Sequence, residues 1–191
     1  MVIRSRGTRR PKLSRAQLIK RARQVVLVLT DNDGVLTDTG VYYDENGEAF
    51  KRFSIRDGMG VELLRREGIE TAIITSENSP SVRRRSEKLM MKRLFLGVKD
   101  KRKHLETILK DTGLAVNQLA YIGDDVNDLA IIEEIGKEGL TGAPADAMTL
   151  VRNAAHYSCN ERGGNGAFRD FAEWILRLRD RRHEEASAVH R

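Results

Sequence analysis

The sequence has 191 residues, 40% hydrophobic and 32% charged, with three prolines, one cysteine and a formal net charge of +6. This fits one globular domain with short extensions, and it excludes an internally disulfide-stapled scaffold because Cys159 is alone. No apolar run approaches the roughly 20 residues of a membrane-spanning helix, and no apolar stretch follows the arginine-rich start as in a secretory signal, so a cytoplasmic protein is expected.

Residues 1–24 contain nine Lys or Arg and no Asp or Glu, which leaves 25 basic against 28 acidic residues, a net −3, for the remainder. They read as a basic N-terminal arm that is a solvated, partly disordered leader, helical near residues 14–24; the alternative is an arm that touches an acidic partner or a membrane surface. No aromatic side chain is interleaved for stacking on bases, so nucleic acid is not an expected partner. Residues 25–30 form a β-branched run without polar alternation, as in a strand covered on both faces. Residues 40–53 alternate instead and carry Asp44-Glu45-Asn46-Gly47 midway, predicting a hairpin with an Asn-Gly turn. A helix over 57–67 stops at Gly68, residues 70–75 form a second buried strand, and Ser79-Pro80 opens a helix to about Met91. The chain continues with a strand at 94–96, a helix over 101–112 ended by Gly113, and a strand at 119–122. A helix over 126–135, a strand at 139–143, a helix over 146–154, a short strand at 156–159 and an amphipathic helix over 167–181 complete it. The alternation predicts an α/β domain over residues 25–180, with a mainly parallel sheet, helices on both faces and a polar tail over 181–191.

In such sheets ligands lie beyond the carboxyl ends of the strands. Asp31 and Asp33 follow the first strand, Thr75 ends the second, and Asp124, Asp125 and Asp128 follow the strand at 119–122. Five carboxylates gathered at one edge repel one another unless a hard cation joins them. Mg²⁺ suits such a site, because it takes few carboxylates and keeps positions for water and phosphate. A carboxylate that must approach a phosphate also needs a cation to offset the repulsion between the two anions.

Four segments, in order, resemble the motifs of the haloacid dehalogenase superfamily of phosphotransferases. They are Asp31-Asn32-Asp33-Gly34-Val35-Leu36-Thr37, Ile73-Ile74-Thr75, Lys99-Asp100-Lys101 and Gly123-Asp124-Asp125-Val126-Asn127-Asp128. The resemblance covers about residues 25–178 and implies a Rossmann-like fold. It also implies that Asp31 attacks phosphorus to form an aspartyl-phosphate, with Asp33 as general acid and base. Mg²⁺ is then held by Asp31, the backbone carbonyl of Asp33 and Asp124, while Thr75 and Lys101 hold phosphoryl oxygens. Asp125 and Asp128 are implied as outer residues that orient ligands or Lys101.

Only the hairpin and one helix separate the first two motifs, so a β-hairpin flap (about 40–53) stands in place of a cap domain. Together with Arg56-Asp57-Gly58, Ala143-Pro144-Ala145-Asp146-Ala147 and Gly163-Gly164-Asn165-Gly166-Ala167-Phe168-Arg169, this resembles the capless sugar-acid phosphatases. That resemblance implies a homotetramer in which one subunit's hairpin covers a neighbour's site and excludes water. Octulosonate 8-phosphate phosphatases carry Gly-Arg-Lys after the threonine, where this chain has Ser76-Glu77-Asn78. Glu77, with Lys88 in Arg83-Arg84-Arg85-Ser86-Glu87-Lys88-Leu89, resembles the specificity pair of nonulosonate 9-phosphate enzymes. The expected substrate is therefore an N-acylneuraminate or deaminated nonulosonate 9-phosphate, met by Glu77, Lys88, Ser76, Asn78 and Arg56. The alternative is 3-deoxy-D-manno-octulosonate 8-phosphate. Ser76 and Asn32 depart from the usual motif residues. A reading of another class is a non-catalytic oligomerisation module, like the C-terminal domain of animal sialic-acid cytidylyltransferases. Such remnants lose catalytic carboxylates, whereas Asp31, Asp33, Lys101 and Asp124 are all present here.

Overall fold

The computed structural model describes residues 12–180, so the expected tail over 181–191 and residues 1–11 of the basic arm lie outside the described residues. In chain order the elements are α1 (Arg15–Gln24), β1 (Leu27–Thr30), β2 (Val41–Asp44), β3 (Gly47–Lys51), α2 (Ile55–Arg66), β4 (Glu70–Ile74) and α3 (Pro80–Lys88). They continue with β5 (Arg93–Phe95), α4 (Lys101–Thr112), β6 (Leu119–Ile122), α5 (Leu129–Gly136), β7 (Leu140–Ala143), α6 (Thr149–Ala154), β8 (Tyr157–Ser158) and α7 (Ala167–Arg179). Six strands make one sheet in the order β5-β4-β1-β6-β7-β8, and every pairing in it is parallel. β2 and β3 form a separate antiparallel hairpin.

The central strands β1, β4 and β6 are mostly apolar because both faces are covered, and successive side chains serve opposite cores. Val28, Ile73 and Ile122 pack with Ala22 of α1, Leu64 of α2 and Phe171 of α7. Their neighbours Leu29, Ala72, Ile74 and Tyr121 pack on the other face with Leu105 and Ile108 of α4, Ile131 and Ile132 of α5 and Val151 of α6. The α/β architecture with helices on both faces is thus the one the alternation predicts. α2 and α7 approach closely at Gly60, where a Cβ would lie 2.9 Å from the Cα of Arg169. Buried Asp57 accepts from the N–H groups of Gly166 and Arg169, both at 3.1 Å, and so caps α7 from α2.

Several boundaries move for local reasons. The hairpin register pairs Asp44 with Gly47, so the two loop residues are Glu45 and Asn46 rather than Asn46 and Gly47. The Asp44 carboxylate accepts from the Asn46 N–H at 2.7 Å, and Gly47 supplies the φ of +116° that re-enters the strand. α2 starts at Ile55 because the Ser54 hydroxyl accepts from the Arg56 N–H at 3.1 Å. α3 stops at Lys88, short of Met91, as the chain turns through Met90 with φ +55°. The helix expected over 126–135 splits into a 3₁₀ turn at Val126–Asp128 and α5. Asp146 is not in α6, since its carboxylate accepts from the Gly163 N–H at 2.9 Å and from Arg162.

The helix expected near residues 14–24 is present and packs on the domain. The stretch from Arg15 is a helix capped by Ser14 and Gln17 in a capping box, and its Ala22 is buried in the main core. The Arg21 guanidinium donates to the carbonyls of Gly136 and Gly139 at 2.8 Å and of Lys137 at 2.7 Å. Among the described residues no helix is long and apolar enough to cross a membrane.

Candidate active site

β1 lies in the middle of the sheet, and the chain leaves its carboxyl end through Asp31, whose N–H donates to the Ile122 carbonyl of β6 at 2.9 Å. The loop then tightens. The Asn32 carbonyl accepts from the N–H groups of Leu36 and Thr37 at 2.9 and 3.0 Å. Gly34 has φ +91°, and a Cβ there would meet Asp124 Oδ2 at 1.9 Å, so the first motif and the fourth touch where only glycine fits. The loop is floored by Gly163 and Gly164. A Cβ on Gly163 would lie 2.0 Å from the Gly34 carbonyl oxygen, and the Gly164 N–H donates to the Val35 carbonyl at 2.9 Å.

Asp31 is 5% exposed. Its Oδ1 accepts from the Asn32 N–H at 2.7 Å and lies 2.9 Å from Lys101 Nζ. Lys101 opens α4 after the cap by Asp100, and it is as buried as Asp31. Its ammonium also donates to Asp128 Oδ1 at 2.7 Å. The Tyr121 hydroxyl donates to the same oxygen at 2.6 Å, while Asp128 Oδ2 accepts from the N–H groups of Asp124 and Asp125 at 2.9 and 3.3 Å. Asp128 therefore holds both the lysine and the loop that carries Asp124. Thr75, just past β4, is buried; its N–H donates to Phe95 and its carbonyl accepts from Val98. Its hydroxyl accepts from the Glu77 N–H at 3.2 Å.

The electrostatics are those of crowded carboxylates. Burial and the Asp128 charge push the Asp31 carboxyl up to about 7, against the pull of Lys101. Burial and the charges of Asp31, Asp128 and Asp125 push Asp124 up to about 8. Oxygens of Asp31, Asp124 and Asp128 lie within 4.8 Å of one another. Asp124 Oδ1 is buried without a hydrogen-bond partner. Three carboxylates, one ammonium and one orphaned oxygen fit a small divalent cation with oxygen ligands. Both Asp128 oxygens already accept two donors, which leaves Asp31 and Asp124 as the available pair.

The cavity above this centre has a volume of about 350 Å³. It is lined by Asp31, Asp33, Thr39, Thr75, Ser76, Glu77, Asp124, Asp125, Val126 and Asn127. Three expected substrate contacts do not line it. The Asn78 carboxamide lies against Gly97, Arg56 lines a different cleft beside Arg169 and Glu173, and Lys88 is exposed at the far end of α3. Nine helical residues put that end about 12 Å from Pro80. Two groups at the site are absent from the motif reading. One is the Tyr121 hydroxyl. The other is Lys51 of β3, whose Nζ contacts both oxygens of Asp33 at 2.7 and 2.8 Å.

A parallel sheet that gathers an aspartate pair, a threonine, a buried lysine and an acidic loop beyond its strand ends is the arrangement of the haloacid dehalogenase class, here with a hairpin instead of a cap domain. No protein-family model matches the sequence. The 3-deoxy-D-manno-octulosonate 8-phosphate phosphatase KdsC of Haemophilus influenzae is 41% identical over 152 residues, 80% of this chain and 83% of that protein. The KdsC of Escherichia coli K12 is 35% identical over 161 residues, 84% of each. A solved structure of the 3-deoxy-D-manno-octulosonate 8-phosphate phosphatase of Moraxella catarrhalis, in complex with magnesium ion, phosphate ion and KDO, matches with a TM-score of 0.80 at 31% identity. That match covers 92% of this chain and 98% of the other. The chain belongs to the capless sugar-acid phosphatase family of the haloacid dehalogenase superfamily.

Proposed function

We propose that this chain is a Mg²⁺-dependent phosphatase that hydrolyses 3-deoxy-D-manno-octulosonate 8-phosphate through an aspartyl-phosphate on Asp31. The observation that carries the reading is the pairing of buried Asp31 with Lys101 at 2.9 Å beside the partnerless oxygen of Asp124, on the floor of the cavity. Asp31 and Asp124 hold Mg²⁺, with the Asp33 carbonyl. Mg²⁺ supplies positive charge that lets the anionic phosphate approach an anionic nucleophile.

An Asp31 oxygen attacks phosphorus as the bond to the sugar oxygen breaks, and the Asp33 carboxyl protonates the departing oxygen. Asp33, now a carboxylate, takes a proton from the water that attacks the aspartyl-phosphate. Lys101 and Thr75 stabilise the charge on the phosphoryl oxygens, and Asp128 holds Lys101 between itself and Asp31. Asp125 supports the metal-binding loop. The test is phosphate release with Mg²⁺. Turnover of the octulosonate phosphate that disappears in Asp31→Asn supports the reading, and turnover that persists in the variant overturns it.

A second substrate is favoured by one observation. Glu77 lines the cavity where the octulosonate enzymes resembled here carry arginine, and a carboxylate accepts from sugar hydroxyls. We therefore propose nonulosonate 9-phosphates as the competing substrate. With Lys88 outside the cavity lining, the octulosonate reading of the relatives takes precedence. Side-by-side kcat/KM values for the two sugars decide between them. We also propose a tetramer in which the hairpin, with Tyr42, Tyr43 and Phe50 exposed, covers a neighbour's cavity. A monomer with full activity in sedimentation overturns that assembly.

A further inference from the structure

We propose that Lys51 is a positioning residue for Asp33, and that the seating of the hairpin determines which half of the reaction Asp33 can serve. The proposal rests on the aspartyl-phosphate reading above. β3 belongs to a flap whose strand aromatics Tyr42, Tyr43 and Phe50 are exposed, and Lys51 is its one buried residue. Its side chain is 1% exposed. An ammonium taken out of water is strongly disfavoured unless it is paired, and an apolar side chain would anchor a flap at lower cost. Here the ammonium is aimed at the acid/base group.

The contacts form a chain from the site to the flap to a neighbouring helix. Lys51 Nζ lies 2.7 and 2.8 Å from the two Asp33 oxygens and 3.5 Å from Glu48 Oε2. The other Glu48 oxygen accepts from the Ser79 hydroxyl, which in turn caps α3 by accepting from the Val82 N–H at 3.3 Å. Asp33 Oδ1 also accepts from Asn32 Nδ2 at 3.0 Å and from the Thr37 hydroxyl at 3.3 Å.

With both oxygens accepting from Lys51, Asp33 directs no hydrogen toward a departing alkoxide. In the first half-reaction the Asp33 carboxyl must give its proton to the sugar oxygen as the phosphorus–oxygen ester bond breaks, so Lys51 must release one oxygen. In the second half, water attacks phosphorus, its proton passes to the Asp33 carboxylate, and the bond between Asp31 and phosphorus breaks to free inorganic phosphate. The paired arrangement is the one the second half needs: a fixed carboxylate in its accepting form. Because Glu48 and Ser79 fasten the strand that bears Lys51, a seated hairpin favours hydrolysis of the intermediate and a loosened one frees Asp33 to donate.

The test is rapid-quench kinetics of Lys51→Met and Lys51→Arg on two substrates, the octulosonate phosphate and p-nitrophenyl phosphate, whose leaving group needs no proton. In Lys51→Met, kcat falls about tenfold or more on both substrates by a similar factor, and the ratio of first-turnover to steady rate rises accordingly. Lys51→Arg, still a donor to both oxygens, recovers most of the loss. An unchanged kcat, a fall confined to the sugar substrate with no rise in that ratio, or no recovery by arginine in a folded variant overturns the proposal. If Lys51→Met does not fold, Glu48→Gln replaces it: a smaller fall with the same raised ratio supports the proposal, and wild-type kinetics overturn it. A wild-type chain that releases no phosphate from any sugar phosphate overturns the phosphatase reading itself, whereas an active wild type with an unaffected Lys51→Met overturns this inference alone.

Discussion

If Asp31 and Asp124 hold Mg²⁺ as proposed, they should exchange protons for it on binding. With both carboxyls raised, to about 7 and about 8, the metal-free fold keeps protons that the unfolded chain, with ordinary carboxyls near pH 4, has released. That contribution to stability is fully present below about pH 4 and is lost as pH rises through 7 to 8. Mg²⁺ bound there would replace the protons, so its stabilising effect should grow across the same window. Thermal unfolding with Mg²⁺ or with EDTA should differ more at pH 8.5 than at pH 5.5, and calorimetry in buffers of different ionisation enthalpy should show proton release on binding. Gly34→Ala should abolish turnover and weaken Mg²⁺ binding while circular dichroism stays native, because its Cβ would displace the Asp124 carboxylate. Asp31, Asp33, Lys101 and Asp124 were legible in the sequence because each follows a strand or opens a helix beyond one sheet edge. Tyr121 was not, since it sits in an apolar run that reads as plain core. Lys51 was not, since a lysine in an alternating hairpin reads as a solvated charge. That Lys88 is exposed and does not line the cavity depends on how α3 packs, which the composition of the helix does not reveal.

Among the elements, α7 depends on a cap that its own sequence lacks. Gly166 precedes it without a side chain, and Asp57 of α2 supplies the acceptor instead. Asp57→Ala should cost about 2–3 kcal/mol in urea unfolding by leaving buried N–H groups unpaired, and Asp57→Asn, which keeps one acceptor, should cost less. The helices that end at Gly68 and Gly113 were readable because both glycines adopt left-handed φ, +73° and +68°. The cap between Asp57 and α7 spans more than a hundred residues and leaves no local signal. The hairpin was readable as an element, and its turn was misplaced by one residue because Asp44 rather than Asn46 organises the loop.

At the scale of the molecule, the basic residues do more than decorate an arm. Arg179, the last residue of α7, donates to the carbonyls of Ala22 and Val25 at 2.9 and 3.0 Å, while Arg21 gathers the carbonyls after α5. Two arginines thus clasp the first described helix to elements from the far half of the chain. Arg21→Ala and Arg179→Ala should each cost about 1–3 kcal/mol in thermal unfolding, additively, with kcat unchanged because neither reaches the cavity. Unchanged or raised stability in either variant would overturn this clasping role. The flooring of the Asp31 loop by Gly163 and Gly164 has a consequence for biosynthesis. A ribosome releases Asp31 early and the residues that brace it late, so the growing polypeptide carries an aspartate pair with no platform beneath it. Translation products stopped before residue 163 should therefore release no phosphate, whereas products that extend through α7 should.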